Sequence, residues 1–350
     1  MTKDLDGALI GYGLAGAVFH APLMTVTPGL RLAAIVTSDP RRRAQAARSH
    51  PDALVLDDVE QVWERADDLD VVVIAAANRV HAHLATAALQ AGLAAVVDKP
   101  LAATAAQARG LVDLAARNGR LLTVFHNRRW DGDFLTLEDL VAAGRLGRVH
   151  RFESRFERWR PQLKPGWRES AAPEDAGGIL YDLGSHLIDQ ALCLFGPARR
   201  VYAEVDVRRR GAEVDDDAFV ALTHDSGVRS HLWMSALAAQ LGPRMRVLGD
   251  EGAYVKHGLD LQETLLRESR LPSEPGWGRE PRHAWGLLGG GDPLQPVETR
   301  AGSWPAFYTA LVDALRGDGP PPVDPGDAVA GLEIIEAARR AAVSGTAVER

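Results

Sequence analysis

The feature that most constrains the fold is a regular alternation of apolar runs and alanine-rich segments through the first third of the chain. Apolar runs lie at 8–13, 30–38, 70–77, 93–99 and 121–127, and helix-compatible segments separate them. Strands that are apolar along their whole length are buried on both faces, which is typical of a parallel sheet covered by helices. The alternation therefore predicts a doubly wound α/β domain at the start of the chain.

A glycine-rich turn follows the first of these runs. Gly11, Gly13 and Gly16 have G-x-G-x-x-G spacing, directly after a predicted strand and at the start of a predicted helix. The first glycine permits a tight turn, the second lets a pyrophosphate approach the backbone, and the third lets helix and strand pack closely. We therefore expect a Rossmann dinucleotide site, in which Leu14 and Ala15 also contact the cofactor.

The end of the second predicted strand bears on which dinucleotide binds. NAD sites usually place a carboxylate there, whereas NADP sites carry small polar groups and arginine. Thr37 and Ser38 end the strand and Arg41 and Arg42 follow, so the segment favours NADP while NAD stays possible. Two alternatives stay open, because Asp39 also suits the start of a helix and the arginines also suit a solvated helix face.

The pattern changes near residue 128, after which several strand-like runs follow one another without intervening helices. Adjacent strands of this kind predict a largely antiparallel sheet in a second domain. We expect a nucleotide-binding domain over 1–125 and a substrate-binding and oligomerisation domain over 126–350.

A carboxylate and an imidazole lie four residues apart in the segment YDLGSHLID, as Asp182 and His186. On a helix the two side chains share a face, so the carboxylate can orient an imidazole that transfers a proton near neutral pH. Taken alone, this spacing is better explained by a core histidine. The two glycines before it and the segment DKP upstream favour the catalytic interpretation.

Lysine is rare in this chain, which has 40 Lys plus Arg but lysine only at positions 3, 99, 164 and 256. Lys99 ends the fourth apolar run, at the carboxyl edge of the predicted sheet where ligands bind. Arginine keeps its proton near neutral pH, whereas a partly buried lysine can titrate. Our hypothesis is that Lys99 hydrogen-bonds the reacting oxygen and relays a proton. The alternative is a surface lysine at a strand end.

With these residues in view, the chain resembles the Gfo/Idh/MocA oxidoreductases, the glucose–fructose oxidoreductase and inositol dehydrogenase family. The resemblance covers essentially the whole chain and rests on GYGLAG, NRVHAHLATAALQAGLAAVVDKPLA, GGILYDLGSHLID and AFYTALVDALRG. It implies an N-terminal Rossmann domain and a C-terminal α+β domain with a large, mostly antiparallel open sheet. That sheet commonly forms the oligomer interface in the family, so a homodimer or homotetramer is expected.

The resemblance also implies roles for three residues. The family's Glu-Lys-Pro lysine corresponds to Lys99, which is then expected to contact both cofactor and substrate. The family's helical aspartate and histidine correspond to Asp182 and His186. We expect Lys99 and His186 to share the proton transfer and Asp182 to orient His186 or bind substrate. Which of Lys99 and His186 is the principal acid or base stays open, because coupled groups titrate together.

On the cofactor side, Asn78 and His81 match the family's N-x-x-H segment, which lines the nicotinamide, and Ala76 lies just before it. Two positions depart from the family. Asp98 replaces the usual glutamate before the lysine, and Ala77 replaces the proline that commonly precedes the asparagine. We expect Ala76, Asn78, His81 and Asp98 in the cofactor site.

The implied activity is that of an NADP-preferring oxidoreductase, which interconverts a hydroxyl and a carbonyl on a polyol, inositol or sugar by hydride transfer. The segments GAVFHAP, NRRWDGDF and VKHGLDLQE are similar to a branch that includes NADP-dependent scyllo-inositol dehydrogenases. Two alternatives remain, a cofactor-binding regulator without turnover and an NAD-dependent glycosidase of the same fold.

Further candidates for substrate contact are aromatic and arginine residues early in the second domain. Arg129 and Trp130 open that domain, and Trp167 and Arg168 precede the segment with Asp182. Trp130 is at least as well suited to core or interface packing. Trp167 and Arg168 lie in the arginine- and tryptophan-rich segment 158–170, which we interpret as a substrate loop. His20, just after the glycine turn, either approaches the cofactor or packs within the first helix.

Composition excludes several function classes. The net charge is −7 without a separate basic block, which argues against nucleic acid as a partner. No apolar stretch approaches the length of a membrane span, and no Cys, His and carboxylate cluster has metal-ligand spacing. The single cysteine, Cys193, cannot form an internal disulfide and is expected to be buried and inert. It favours a reducing compartment, so we expect a cytoplasmic protein.

Overall fold

The computed structural model describes residues 3–164 and 166–350 in two compact units. The first unit contains the chain up to Asn127 together with Gln262–Trp277 and Ser303–Val329. The second contains Arg128–Leu261, Gly278–Gly302 and Ala330–Arg350. Helical segments far along the sequence thus join the first unit, a feature that the sequence pattern does not reveal. The proposed domain boundary between residues 125 and 126 stays a prediction.

Fifteen strands and ten α-helices lie within the described residues. The strands are β1 Leu5–Ile10, β2 Leu30–Val36, β3 Leu54–Leu56, β4 Val71–Ile74, β5 Ala94–Asp98, β6 Leu122–Phe125, β7 Val149–Glu157, β8 Ala198–Asp206, β9 Asp217–His224, β10 Arg229–Ser235, β11 Met245–Gly249, β12 Ala253–Lys256, β13 Gly286–Gly289, β14 Gln295–Val297 and β15 Val348–Glu349. The helices are α1 Ala21–Val26, α2 Pro40–Ser49, α3 Glu60–Trp63, α4 Asn78–Gln90, α5 Ala105–Asn118, α6 Gly132–Ala142, α7 Ser185–Phe195, α8 Gln262–Arg267, α9 Pro305–Arg316 and α10 Pro325–Ser344. Two π-helical turns, Ala15–His20 and Leu180–Gly184, lead directly into α1 and α7.

The first unit is built on a six-stranded parallel sheet in the order β3-β2-β1-β4-β5-β6. All four residues of β4 and of β6 are buried, as apolar strands covered on both faces require. The predicted doubly wound α/β domain is confirmed. The strands are added to one side of β1 up to β3 and to the other side from β4 onward, so the strand order reverses between β1 and β4. Ligands of such sheets bind beyond the carboxyl ends of those two strands.

The second unit is built on a nine-stranded sheet in the order β14-β13-β12-β11-β7-β10-β9-β8-β15. The pairs are antiparallel except for β7 and β10, which run parallel, so the predicted mostly antiparallel sheet is confirmed. Every second residue of β9 is buried, and α7 packs against β7 and β10. One face of this sheet therefore supports the helix that carries His186.

Candidate functional site

The glycine turn of the first unit has the geometry that a dinucleotide site needs. Gly11 has φ of 98°, and a Cβ at this position would lie 2.5 Å from the carbonyl oxygen of Ala75. A Cβ at Gly16 would overlap the carbonyl oxygen of Gly11. By contrast, a Cβ at Gly13 would have only one neighbour, an Arg42 guanidinium nitrogen at 3.8 Å. Gly11 and Gly16 thus permit close backbone packing, and Gly13 leaves the space through which a pyrophosphate would approach.

Leu14 and Ala15 follow this turn, at the start of the helical segment. The side chain of Leu14 is exposed, and Leu14 makes no side-chain hydrogen bond to the amides of the first turn. Those amides and the helix dipole are the elements that hold a pyrophosphate in sheets of this type. The residues present therefore fit a dinucleotide.

At the end of β2, Thr37 is buried and Ser38 is exposed. Asp39 begins α2, where its carboxylate accepts hydrogen bonds from the amides of Arg42 and Arg41 at 3.2 and 2.8 Å. These two hydrogen bonds lower the pKa of Asp39, that of Arg42 contributing most. The carboxylate of Asp39 thus has the helix-capping role left open by the sequence. The guanidinium of Arg42 lies beside Gly13, while Arg41 is exposed.

His81 connects the ends of two strands. Its Nδ1 lies 2.8 Å from the carbonyl oxygen of Pro100 and its Nε2 lies 3.2 Å from that of Ala76. Burial is the largest effect on the pKa of His81 and lowers it, and the hydrogen bond to the carbonyl oxygen of Pro100 opposes this effect. Asn78 is also buried, as the first residue of α4. A direct contact of Ala76, Asn78 or His81 with nicotinamide stays a prediction.

Lys99 directly follows the last residue of β5, at the carboxyl edge of the parallel sheet. Its backbone amide donates a hydrogen bond of 2.8 Å to the carboxylate of Asp98, and both side chains are half-buried. The shorter aspartate, which replaces the family's glutamate, is therefore folded back onto the main chain.

His20 is wholly buried rather than exposed at the site. Its Nδ1 lies 2.6 Å from the hydroxyl oxygen of Tyr308. Burial lowers the pKa of His20 to about 4; the Asp98 carboxylate opposes this effect, and His81 adds to it. The imidazole is therefore neutral at physiological pH.

In the second unit, Asp182 lies in the π-helical turn and His186 in the first turn of α7. His186 is buried and its ring centroid lies 6.4 Å from that of Phe156. The carboxylate of Asp182 faces two guanidinium groups, that of Arg168 at 3.4 Å and that of Arg158 at 4.0 Å. The structure thus brings the predicted residue Arg168 to Asp182. π-Helical turns are frequent at functional sites.

The other predicted substrate residues have contacts within the second unit. Arg129 forms two hydrogen bonds, of 2.9 and 2.6 Å, with the carboxylate of Asp189, a bidentate pair that fixes it against α7. The guanidinium of Arg168 lies 4.2 Å from the ring centroid of Trp167. Trp130 is half-buried at the end of a short 3₁₀ turn. A substrate contact of Arg129, Trp130 or Trp167 stays a prediction.

Two residues that sequence reasoning missed hold the start of the segment with Asp182. Asp215 accepts a hydrogen bond of 2.8 Å from the amide of Leu180, and its own carbonyl accepts one of 2.8 Å from Ile179. Arg339 lies 3.0 Å from the carboxylate of Asp215. Burial raises the pKa of Asp215, and the hydrogen bond from the amide of Leu180 and the guanidinium of Arg339 partly offset this rise. The only sequence signal was the run of three aspartates at 215–217, the last of which begins β9.

The structure overturns one expectation from composition, the burial of the cysteine. Cys193 is exposed, so the expectation of a buried cysteine was wrong; it lies on the solvent side of α7, between apolar positions that pack inward. Over residues 3–164 and 166–350, no helix has the length and apolarity needed to cross a membrane. The same residues include no group of three or more His, Cys, Asp or Glu that could hold a metal ion.

Comparison with known proteins matches both parts of the chain to one family. Residues 5–126 match a family model described as the oxidoreductase family, NAD-binding Rossmann fold, and residues 138–349 match its C-terminal alpha/beta domain. The uncharacterized oxidoreductase YdgJ of Escherichia coli is 43% identical over 96% of both chains. The scyllo-inositol 2-dehydrogenase (NADP(+)) IolW of Bacillus subtilis is 34% identical, over 94% of this chain and 91% of its own. The solved structure of oxidoreductase yvaA of Bacillus subtilis superposes with a TM-score of 0.94 at 31% identity, covering 100% of this chain and 99% of that one.

The glycine geometry predicts opposite outcomes for two alanine substitutions. Gly13→Ala should leave the melting temperature close to that of the wild type, because its Cβ enters open space, but raise the Kd for NADPH more than about tenfold. Gly16→Ala should lower the free energy of unfolding by about 1–3 kcal/mol, because its Cβ overlaps backbone. Calorimetry and fluorescence titration measure both. Unchanged NADPH affinity in Gly13→Ala would contradict the assignment.

The buried histidine predicts a pH dependence of stability. The pKa of His20 is about 4 in the folded protein and 6.5 unperturbed, so between these values the unfolded chain binds a proton that the folded protein does not. The free energy of unfolding should therefore fall as the pH is lowered from 6.5 to 4, by about 3 kcal/mol from this group. Urea unfolding at several pH values gives the free energy of unfolding as a function of pH, and the slope of this dependence should be smaller in His20→Gln. The exposed His283→Gln is the matched control, and equal slopes in all three proteins would contradict the prediction.

Proposed function

Since the chain belongs to the Gfo/Idh/MocA family of NAD(P)-dependent oxidoreductases, we propose that it interconverts a hydroxyl and a carbonyl on a polyol, inositol or sugar, with NADP as the preferred cofactor. The observation that carries this proposal is the position of Lys99. This residue directly follows the carboxyl end of β5, in the same sheet whose β1 end carries the glycine turn. A titratable cation at this edge is suited to a substrate oxygen.

The proposed chemistry divides between the cofactor and the protein. Bound dinucleotide supplies or accepts a hydride at C4 of its nicotinamide. In our proposal Lys99 donates a hydrogen bond to the substrate oxygen, and His186 takes the hydroxyl proton in oxidation and returns it in reduction. Asp182 orients His186 or binds a second hydroxyl, while Arg168 and Arg158 hold the carboxylate of Asp182.

Three observations support NADP over NAD. The carboxylate of Asp39 is engaged by two backbone amides, the guanidinium of Arg42 lies beside Gly13, and Ser38, which directly precedes Asp39, is exposed. A guanidinium in this position is suited to a 2′-phosphate. IolW, a relative that carries NADP(+) in its name, adds support.

We also propose a homodimer or homotetramer, formed through the exposed face of the nine-stranded sheet. Half-exposed aromatic rings lie on β9 and β10 in this face, with Phe219 and Trp233 5.1 Å apart and the guanidinium of Arg155 4.1 Å from the Trp233 ring. Aromatic residues and arginine are enriched in protein interfaces.

A cytoplasmic location remains part of the proposal.

Replacing the proposed proton-transfer groups should separate chemistry from cofactor binding. Lys99→Met should lower kcat by about 10²–10⁴-fold, because the substrate oxygen loses its donor, and should leave NADPH binding measurable. His186→Asn should have a pH–rate profile without the limb that the imidazole contributes. Steady-state kinetics with a panel of inosones, ketoses and aldehydes, together with NADPH titration, measures these effects.

Lys164→Met is the matched control for the lysine variant, because Lys164 is exposed. Near-normal turnover in Lys99→Met would contradict the role of the lysine. An unchanged pH profile in His186→Asn would contradict that of the histidine.

Replacing Arg42 tests the cofactor preference. Arg42→Ala should raise the KM for NADPH by about tenfold or more and leave that for NADH nearly unchanged, because only NADPH has a 2′-phosphate. Arg48→Ala, an exposed arginine on the same helix, is the matched control. Equal effects of Arg42→Ala on both cofactors would contradict the assignment of Arg42 to the phosphate.

A further inference from the structure

A buried polar pair lies on the same face of the parallel sheet as the side chain of Asp98. In the register of β5 and β6, Asp98 is paired with Phe125. Paired residues of neighbouring strands project their side chains to the same face. The ring of Phe125 packs on His20, with centroids 4.3 Å apart, and on Tyr308, with centroids 6.0 Å apart. The carboxylate of Asp98 and the two buried rings therefore share one side of the sheet.

The hydrogen bond between the two rings determines which imidazole nitrogen carries the proton. Burial, and then the Asp98 carboxylate, raise the pKa of Tyr308 well above its usual value, so the phenol keeps its proton. A buried hydroxyl proton needs an acceptor, and His20 Nδ1 is the acceptor recorded for it within the described residues. The neutral imidazole therefore carries its own proton on Nε2.

The Nε2 atom of His20 is buried and has no hydrogen-bond partner among the residues that the structure describes. Phenylalanine and leucine would fill this space without a buried polar group, which is costly to desolvate. The charged and titratable groups that act on His20 are the Asp98 carboxylate and the His81 imidazole. The charge of Lys99 in turn lowers the pKa of His81 by electrostatic repulsion.

We propose that His20 and Tyr308 are positioning residues for the Asp98–Lys99 strand end. Tyr308 fixes the imidazole in the tautomer whose Nε2–H presents a positive dipole in the field of the Asp98 carboxylate. Asp98 in turn holds the backbone amide of Lys99 and so fixes where the lysine side chain begins. The inference rests on the proposed role of Lys99, but its effect on the lysine amine is measurable without turnover.

The test uses three variants of the pair. Tyr308→Phe removes the donor to Nδ1. His20→Asn keeps an acceptor near the Nδ1 position but has no donor near Nε2, whereas His20→Gln keeps a donor near Nε2. Tyr254→Phe is the matched control, because Tyr254 is a buried tyrosine in the other unit.

The first readout is the rate at which acetic anhydride labels each lysine as a function of pH, measured by mass spectrometry. The chain has only four lysines, and the exposed Lys164 serves as the internal reference in every sample. Tyr308→Phe and His20→Asn should change the labelling rate of Lys99 relative to Lys164 by about threefold or more, equivalent to a shift of about half a pH unit. His20→Gln and Tyr254→Phe should resemble the wild type.

The second readout is kinetic. The kcat of Tyr308→Phe and His20→Asn should fall about tenfold while the KM for NADPH changes less than about twofold, because a displaced lysine affects the reacting oxygen. Folded variants with wild-type Lys99 labelling and wild-type kcat would overturn the proposal. A ¹⁵N spectrum that places the His20 proton on Nδ1 would also overturn it. Wild-type protein without turnover on the whole panel would overturn the proposed function instead, and the labelling result would still decide the role of the pair.

Discussion

The close approach of the glycine turn to the end of β4 is the constraint on which the chemistry of the first unit depends. A side chain at Gly11 would press on the backbone at Ala75, and one at Gly16 would overlap Gly11 itself. Glycine at these two positions lets the first helical segment start directly at the carboxyl edge of the sheet. The first amides of that helical segment and the residues that follow β4 and β5 then lie at the same edge. Without this packing, Lys99 would still end a strand but would have no cofactor site in its own sheet.

At this edge of the sheet, burial and hydrogen bonding have opposite effects on the pKa of a histidine side chain. His81 illustrates the balance, because its two ring nitrogens face the carbonyl oxygens of Ala76 and Pro100. A neutral imidazole has one donor, so only one of these contacts is an ordinary hydrogen bond, whereas a charged imidazole would satisfy both. Burial favours the neutral form and lowers the pKa of His81. His81 therefore ties two loops together at some electrostatic cost, consistent with a role in positioning them.

Much of this arrangement was predictable from sequence because it depends on local patterns. Continuous apolar strands and the spacing of Gly11, Gly13 and Gly16 predicted the parallel sheet and its turn. Adjacent strand-like runs without intervening helices, together with the resemblance to the Gfo/Idh/MocA family, predicted the mostly antiparallel second sheet. What was missed depends on contacts between residues far apart in sequence. Tyr308 meets His20 across 288 positions, and no local pattern marks the pair. Asp215 and Arg339 were missed for the same reason, since each acts on a segment that lies elsewhere in the chain.

In the proposed reaction a hydride moves between nicotinamide and a substrate carbon, and the lysine at the end of β5 donates a hydrogen bond to the substrate oxygen. Deuterium at C4 of NADPH reports that movement directly. When the protein is incubated with NADPH that carries deuterium at both C4 positions, and with the carbonyl panel, mass spectrometry should find deuterium bound to carbon in an alcohol product, with little or none in the same reaction of Lys99→Met. An alcohol product without deuterium, or equal incorporation by both proteins, would contradict the account.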